Sequence, residues 1–515
     1  MSSTSNQYDT PRSQSNGGAE GSNKSLFWAC FIALVATSFV FGVRSTLIGD
    51  IAKEFELGEA AKGRILGVGL WPFALSIVFF SLIIDRIGYK VAALFAIVCH
   101  FLSIVMTLLA KPDNDLLYWG TFTVAIANGT VEAFINPVVA TLFSKEKSKW
   151  LNILHAGWPL GIAAGSIFTL LLGNLDLSWQ VKFGMCLIPV VIYTVLILPR
   201  QFPVNERVAA GVSYREMLGE FGAFGFFMFT SLLVMAIYQS TGVAANWGLV
   251  FGIAAAVAIV AGAYTRTAGR PMFIVILLTM PFLATTELGT DTWMPSLLEG
   301  EFGKASAWIL VYTSIIMTYL RMNAGPVVHR FSPIGVLVLS AAVAILGLLL
   351  LWGAHGWAIV AVATLYALGK TFLWSTTLGV VSEQFPRGGA LSLNGVSAIG
   401  VLGMGVVGAP LMGIWQDIDI DKTLRDKHPA IYQTVKSPSE TNILGSFPSL
   451  NGNAVKALPE DQRKTVTAVQ DDYKKLTFAR TAMLPAFMLV CYIGLWLYFR
   501  GRGGYKPVEI GAGGH

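Results

Sequence analysis

Charge is what this sequence has least of. Asp, Glu, Lys and Arg make up 13% of its 515 residues, against 54% hydrophobic residues and a mean hydropathy of +0.62. Soluble domains carry roughly twice that charge. A chain so apolar cannot cover a water-facing surface, so lipid must be its solvent. Cysteine is also scarce. Cys30, Cys99, Cys186 and Cys491 all lie inside apolar runs with no CxxC spacing, and they read as packing residues rather than disulfide or metal partners. No GxxxxGK[ST] loop, HExxH pair or metal-spaced His/Cys cluster is present. These absences argue against an enzyme, a cofactor, a metal site and an ATP-driven pump. The net charge of +6 is spread over short loops instead of one patch. It therefore points to membrane topology and not to nucleic acid.

What the sequence has is long apolar runs. About 20 apolar residues cross the hydrocarbon. The runs at 27–49, 65–84, 91–110, 117–143, 152–173 and 183–199 make a first set of six; 221–240 and 246–264 follow; 272–298, 306–324, 335–353, 357–380, 394–415 and 482–499 make a last six. The expected fold class is an all-α membrane protein of fourteen spans, two six-helix halves with an extra central pair. Residues 1–25, polar and rich in Ser, Asn and Gly, read as a disordered tail. The halves are expected at 26–200 and 271–500, with 201–270 as linker and helix pair and 501–515 as a second tail.

With the N-terminus inside, one side receives Arg86 and Lys90, Lys145, Lys147 and Lys149, Arg200, Arg207 and Arg215, Arg266 and Arg270, Arg321 and Arg330, Arg387, and Arg500, Arg502 and Lys506. The short loops of the other side hold Lys53, Lys62, Arg64, Lys111, Lys182 and Lys304. The positive-inside rule then places both termini in the cytosol of a multi-pass protein of the cell (plasma or inner) membrane. Residues 416–480 form an outer insert whose second part, from Pro459, reads as helix. It is either a lid over the outer opening or an inert elaboration.

An internal repeat sets the architecture. The stretch beginning at Asn128 aligns without gaps to the stretch beginning at Leu368, so that Gly129 falls on Gly369, Leu151 on Leu391 and Gly165 on Gly405. Residues 81–90 and 325–334 likewise follow corresponding spans. Two related six-helix halves are the build of a rocking carrier.

The loop Asp85-Arg86-Ile87-Gly88-Tyr89-Lys90 resembles the conserved loop between the second and third helices of the major facilitator superfamily, with Ser81 where that family usually has Gly. Gly88 permits the tight turn, and Asp85 and Arg86 can pair with neighbouring helix ends. The loop is read as governing the conformational change. Glu132-Ala-Phe-Ile-Asn136-Pro137, then Leu151-Asn152 and His155-Ala-Gly, is similar to the fourth-to-fifth helix region of the fucose–galactose–glucose proton symporters. The resemblance implies that Glu132 binds sugar or couples protons. Where those symporters often carry a membrane aspartate in helix 1, this chain has Ser45 beside Arg44.

Ionisable groups in mid-membrane are costly and usually face a cavity or a partner. Here they are Arg44, Glu132, Glu287 with Asp291, and Lys370, joined by His100 if neutral. In the superfamily count these four sets lie in helices 1, 4, 7 and 10, which the resemblance makes the cavity-lining helices. Asn128, Glu132 and Asn136 share one helix face, and their carboxylate and amides match the paired hydroxyls of a sugar. Pro137 frees a backbone carbonyl and invites a bend. The alternative is that Glu132 only pairs with Arg44. Glu287 and Asp291, four apart, are expected to repel unless one is protonated or finds Lys370 or Arg44; they are candidates for proton coupling or for a gate. Trp71, Trp158, Trp293 and Trp374 are candidate stacking rings, Trp374 the best placed. His155 reads as a hydrogen-bonding or packing residue.

The expected function is secondary transport of a small polar solute, a sugar first, with protons as coupling ion. An organic-anion carrier using Arg44 and Lys370 to grip a carboxylate is the second reading. A non-transporting membrane sensor on the same scaffold is the third.

Overall fold

A computed structural model describes residues 16–55, 65, 68–173, 175, 177–241, 243, 245–442 and 444–510. The fourteen apolar helices are α1 (Asn16–Glu54), α2 (Trp71–Ile87), α3 (Tyr89–Leu108), α4 (Leu116–Leu142), α5 (Lys147–Gly173), α6 (Trp179–Ile197), α7 (Tyr214–Thr241), α8 (Trp247–Thr265), α9 (Pro271–Leu297), α10 (Ala307–Met322), α11 (Pro333–Gly353), α12 (Ala358–Gln384), α13 (Pro386–Lys427) and α14 (Glu460–Arg500). Twelve of them are long and apolar enough to cross a membrane; α10 is a shorter apolar helix and α2 has 17 residues. Helices 7 and 10 of the superfamily count are α9 and α12.

Three boundaries differ from expectation. Helix α1 starts at Asn16, inside the stretch read as a tail. The N-terminal 15 residues of that tail lie outside the described residues, as do Lys62 and Arg64. Helix α2 starts at Trp71, with Pro72 in its first turn, where proline's missing N–H costs nothing. Helix α13 runs on to Lys427, past the apolar run.

The two halves meet along a seam, and the internal repeat explains its form. The first copy is the end of α4 with the start of α5; the second is the end of α12 with the start of α13. Each copy binds the other. Asn136 Nδ2 donates to Asn394 Oδ1 (3.1 Å), and Asn394 Nδ2 donates to Ser81 Oγ (2.9 Å) and to the Ala133 carbonyl (3.0 Å). Ser375 Oγ donates to Asn152 Oδ1 (2.6 Å), and Asn152 Nδ2 donates to Thr376 Oγ1 (3.2 Å). The Ser148 N–H donates to Glu383 (2.9 Å), and Lys147 donates to the Ser382 carbonyl (3.3 Å). The Ala133 carbonyl is free because Pro137, four residues on, has no N–H to offer it. The bend-forming proline read from the sequence thus builds an acceptor for the opposite half.

All these bonds lie toward the face where the start of α1 packs: Phe27 stands against Phe143 and Trp150 of the α4–α5 turn. The C-terminal segment lies on the same face, with Tyr505 donating to Glu383 (2.7 Å). This face carries the basic loops. Among the described residues no hydrogen bond joins the halves on the opposite face. The halves are therefore closed on the basic face.

Gly379 shows how tight the seam is. A Cβ there would lie 2.1 Å from Ser148 Oγ and 2.7 Å from its Cα. Gly379→Ala is expected to hold the basic face open. Spin labels at Ser144 and Asn323, one on each half, should move several ångströms apart, and an unchanged distance distribution would show that the close approach is relieved elsewhere.

The 85–90 loop grips the 201–220 linker. Arg207 and Asp85 form a buried ion pair, the Arg86 guanidinium lies 5.4 Å from the Tyr214 ring centre, and Lys90 caps the last carbonyls of α6. Gly88 takes φ +81° as the turn requires. Arg207 also touches Gly389 at the start of α13, so the loop is linked through one side chain to the other half.

The insert is a small folded unit. Helices α13 and α14 extend beyond the apolar layer and enclose Pro429–Val435, a two-stranded hairpin (β1, Glu440–Asn442; β2, Gly445–Phe447) and Gly452–Ala457 around Ile420, Leu424, Val435, Leu458 and Val466. The helix expected from Pro459 is present. Its ties to the rim of its own half are Lys475 to Glu301 and Lys474 to Glu299 (3.8 Å), while Arg480 to Asp419 (2.5 Å) joins its two long helices. The Lys475 ammonium and the Gly356 N–H hold the Glu301 carboxyl well below its usual range, at about 2. Because this value is depressed on folding, the contact contributes stability above the ordinary carboxyl range of about 4.3 and loses it as pH falls toward about 2. Pepsin should cleave the insert faster in Glu301→Gln than in the parent at about pH 4, with the difference vanishing near pH 2. Equal rates at both pH values would remove Glu301 from the docking contact.

Candidate functional site

The ionisable residues sort into three groups. The first is in α9 and its neighbours. Helix α9 widens into a π-bulge at Thr285–Gly289, a feature that often marks function. The bulge packs on a second one in α13 (Met404–Gly408): a Cβ on Gly408 would meet Thr285 Oγ1 at 1.8 Å. Glu287 sits in the bulge, 1% exposed, and Asp291 one turn on. Repulsion between them is avoided as expected through Lys370, and a second cation, Arg321, serves the other carboxylate. Arg321 Nη2 donates to Glu287 Oε1 (2.5 Å), and Lys370 pairs with Asp291. Arg321 was read as a loop charge; it is instead 1% exposed in the last turn of α10. A single arginine at the edge of an apolar run gives no sign of which way it points.

Arg321 makes two further bonds, Nε to the Thr371 carbonyl (2.6 Å) and Nη1 to the His155 carbonyl (3.0 Å). Thr371 lies where α12 breaks between Lys370 and Leu373. His155 lies four residues before Pro159, so its carbonyl has no helical donor. Trp374 joins this group through its backbone: its N–H donates to Glu287 Oε2 (3.1 Å), while its ring packs on Gly400.

The second group centres on Glu132, 3% exposed in α4. Asn136 Nδ2 donates to Glu132 Oε2 (2.7 Å), and Asn136 Oδ1 bonds His155 Nε2 (3.0 Å). His155 has the hydrogen-bonding role read for it. No cation stands within ion-pair distance of Glu132 among the described residues, so the suggested pairing with Arg44 is not formed. Asn128, on the same face, bonds His100 Nε2 (2.8 Å), whose other nitrogen meets the Tyr193 hydroxyl (2.7 Å). That link serves α3, α4 and α6 and does not reach the seam.

The third group is Arg44 on α1. It is 9% exposed, its guanidinium lies 5.8 Å from the Phe183 ring centre, and its Nη2 is buried without a hydrogen-bond partner. The indole N–H groups of Trp71 and Trp158, in the same half, are also buried and unpaired. Trp158 packs near Phe41, one turn before Arg44 (ring centres 6.2 Å apart), and Trp71 near Phe122 (5.5 Å). Trp293 packs against Gly413 of α13, away from these groups. Asn152, the second residue of the Leu151-Asn152 motif, is a pin of the seam.

A comparison with known proteins agrees with this architecture. The gentisate transporter of Corynebacterium glutamicum is 23% identical over 377 residues, 71% of this chain and 74% of that protein. The cis,cis-muconate transport protein of Acinetobacter baylyi is 24% identical over 313 residues, covering 60% of this chain and 65% of that one. Among solved structures, the E. coli fucose:proton symporter superposes with a TM-score of 0.58 at 14% identity over 90% of this chain and 99% of its own. A proton:xylose symporter gives 0.60 at 13% identity, over 93% and 96%. These two show the fold. The family model of the Major Facilitator Superfamily matches residues 29–297, and with the repeat, the 85–90 loop and the two pinned halves it leads to one conclusion: the chain belongs to the major facilitator superfamily of membrane transporters.

Proposed function

We propose that this transporter carries an organic carboxylate, an aromatic acid or a short unsaturated diacid, by alternating access, with protons as the coupling ion. The observation that carries the reading is Arg44. Lys370 and Arg321, two other buried cations of the spans, are neutralised by Asp291 and Glu287. Arg44 alone among these three has a buried donor with nothing to bind. A buried cation without a partner is costly, and an acceptor-only carboxylate supplies what it lacks. Gentisate and muconate, named for the two relatives, are carboxylates. The second cation of the organic-anion reading, Lys370, is engaged by Asp291, so Arg44 grips the solute without it.

The sugar reading has less support. Its contact residues are engaged elsewhere: Asn136 with Glu132, Asn394 and His155, and Asn128 with His100. The proton assignment rests on Glu132, a buried carboxyl with no cation beside it. This reading takes the basic face, on which the halves are closed, as cytosolic by the positive-inside rule, with loading from the insert's side. A ligand that binds the folded state raises its melting temperature. Gentisate, cis,cis-muconate and benzoate should each stabilise the purified protein, and fucose and xylose should not. Stabilisation by the sugars alone would overturn the reading.

A further inference from the structure

We infer that Arg321 is the positioning residue that ties the buried Glu287 pair to closure of the seam. This rests on the transport reading above but not on the identity of the solute. The guanidinium reaches three helices at once: Glu287 on α9, the Thr371 carbonyl at the break in α12, and the His155 carbonyl on α5 of the opposite half. Two of these acceptors exist because local backbone has been broken: Pro159 leaves the His155 carbonyl without its helical donor, and the break after Lys370 exposes that of Thr371. An ion pair holding one half together would need neither.

The bridge continues beyond the carbonyl. His155 Nε2 bonds Asn136 Oδ1, and Asn136 Nδ2 donates to Glu132. Glu287 and Glu132, buried carboxyls in opposite halves, are thus joined through Arg321, His155 and Asn136. The Arg321–His155 bond crosses the seam, so opening the basic face must break it and leave the guanidinium with Glu287 and Thr371. The arrangement of the Glu287 pair and the closure of the seam are then one event. The geometry of the fork is what permits this: an ammonium satisfies Glu287 but cannot reach acceptors on three sides.

The test uses the full-length protein in nanodiscs with Ser382→Cys as reporter. Ser382 is buried at the seam, next to the Ser148–Glu383 contact. Its maleimide labelling is measured above that of the chain's own four cysteines. Arg321→Lys keeps the ion pair and is expected to raise the labelling rate at least five-fold with little change in melting temperature. Because Arg321→Gln alone leaves Glu287 unpaired and risks misfolding, a second protein carries Arg321→Gln with Glu287→Gln, which removes both charges together; it should label as fast as Arg321→Lys. Parent-like labelling in either well-folded variant would overturn the inference, since a residue that merely holds α9 to α10 would not move this readout. The label reports the seam and not the solute. Faster labelling in a protein that proves to carry no carboxylate would sink the proposed function and leave this inference standing.

Discussion

Arg44→Gln is expected to weaken carboxylate binding by about ten- to a hundred-fold while leaving the fold and the seam intact. A hydrogen bond to a charged group contributes about 1.5–3 kcal/mol, and each 1.4 kcal/mol is about tenfold in affinity. The unoccupied protein should not suffer. Nη2 of Arg44 has no partner to lose, and removing an unpaired buried charge relieves a cost. The variant should therefore melt at or above the parent's temperature and lose the stabilisation that gentisate gives the parent. Arg44→Lys should recover part of the affinity, keeping the charge but losing the planar fork that matches a carboxylate. A variant that binds gentisate as tightly as the parent would show that Arg44 faces Phe183 for packing alone.

Glu132→Gln carries the second large effect. Glutamine keeps the size and accepts the hydrogen bond from Asn136, but it cannot ionise. Glu287 and Asp291 each have a cation; among the described residues Glu132 has none, so a proton is the countercharge proposed for it. If protons move with the solute at Glu132, pH-driven uptake should fall to background in the variant, while exchange of labelled for unlabelled solute continues at a rate within a few-fold of the parent. If Glu132 instead grips the solute, both activities should fall together through weaker binding. Normal pH-driven uptake by a well-folded Glu132→Gln protein would move the coupling role to Glu287.

The helices were legible because hydrophobic runs of spanning length leave few alternatives, and the two halves because the repeat preserves the offset between Asn128 and Leu368. The meaning of Pro137 was legible for the same local reason: a missing N–H is a property of the residue wherever it sits. The partners of the charges were legible only in part. A pairing of Arg44 with Glu132 is one alternative the sequence leaves open, yet Arg44 turns to α6 and Glu132 to Asn136. Arg321 was assigned to a loop because it ends an apolar run, and only the packing of α10 on α5 turns it inward. For Glu287 and Asp291 the sequence already offers Lys370 as a partner, and Asp291 has it; the cation of Glu287, Arg321, comes from α10 and is not legible from neighbours along one helix. Asn394 and Asn152 carry no charge, so nothing in a single sequence separates them from other polar residues in a span. Side chains whose role is to meet another helix become visible only when that helix is placed.

The account's central claim is that a carboxylate crosses the membrane through this protein by alternating access, and counterflow tests it most directly. Proteoliposomes loaded with unlabelled gentisate, without any ion gradient, should accumulate labelled gentisate transiently above its external concentration. Unlabelled cis,cis-muconate outside should compete, fucose should not, and Gly379→Ala, which cannot close the basic face, should abolish the overshoot. Overshoot with labelled fucose and none with gentisate or muconate would contradict the account.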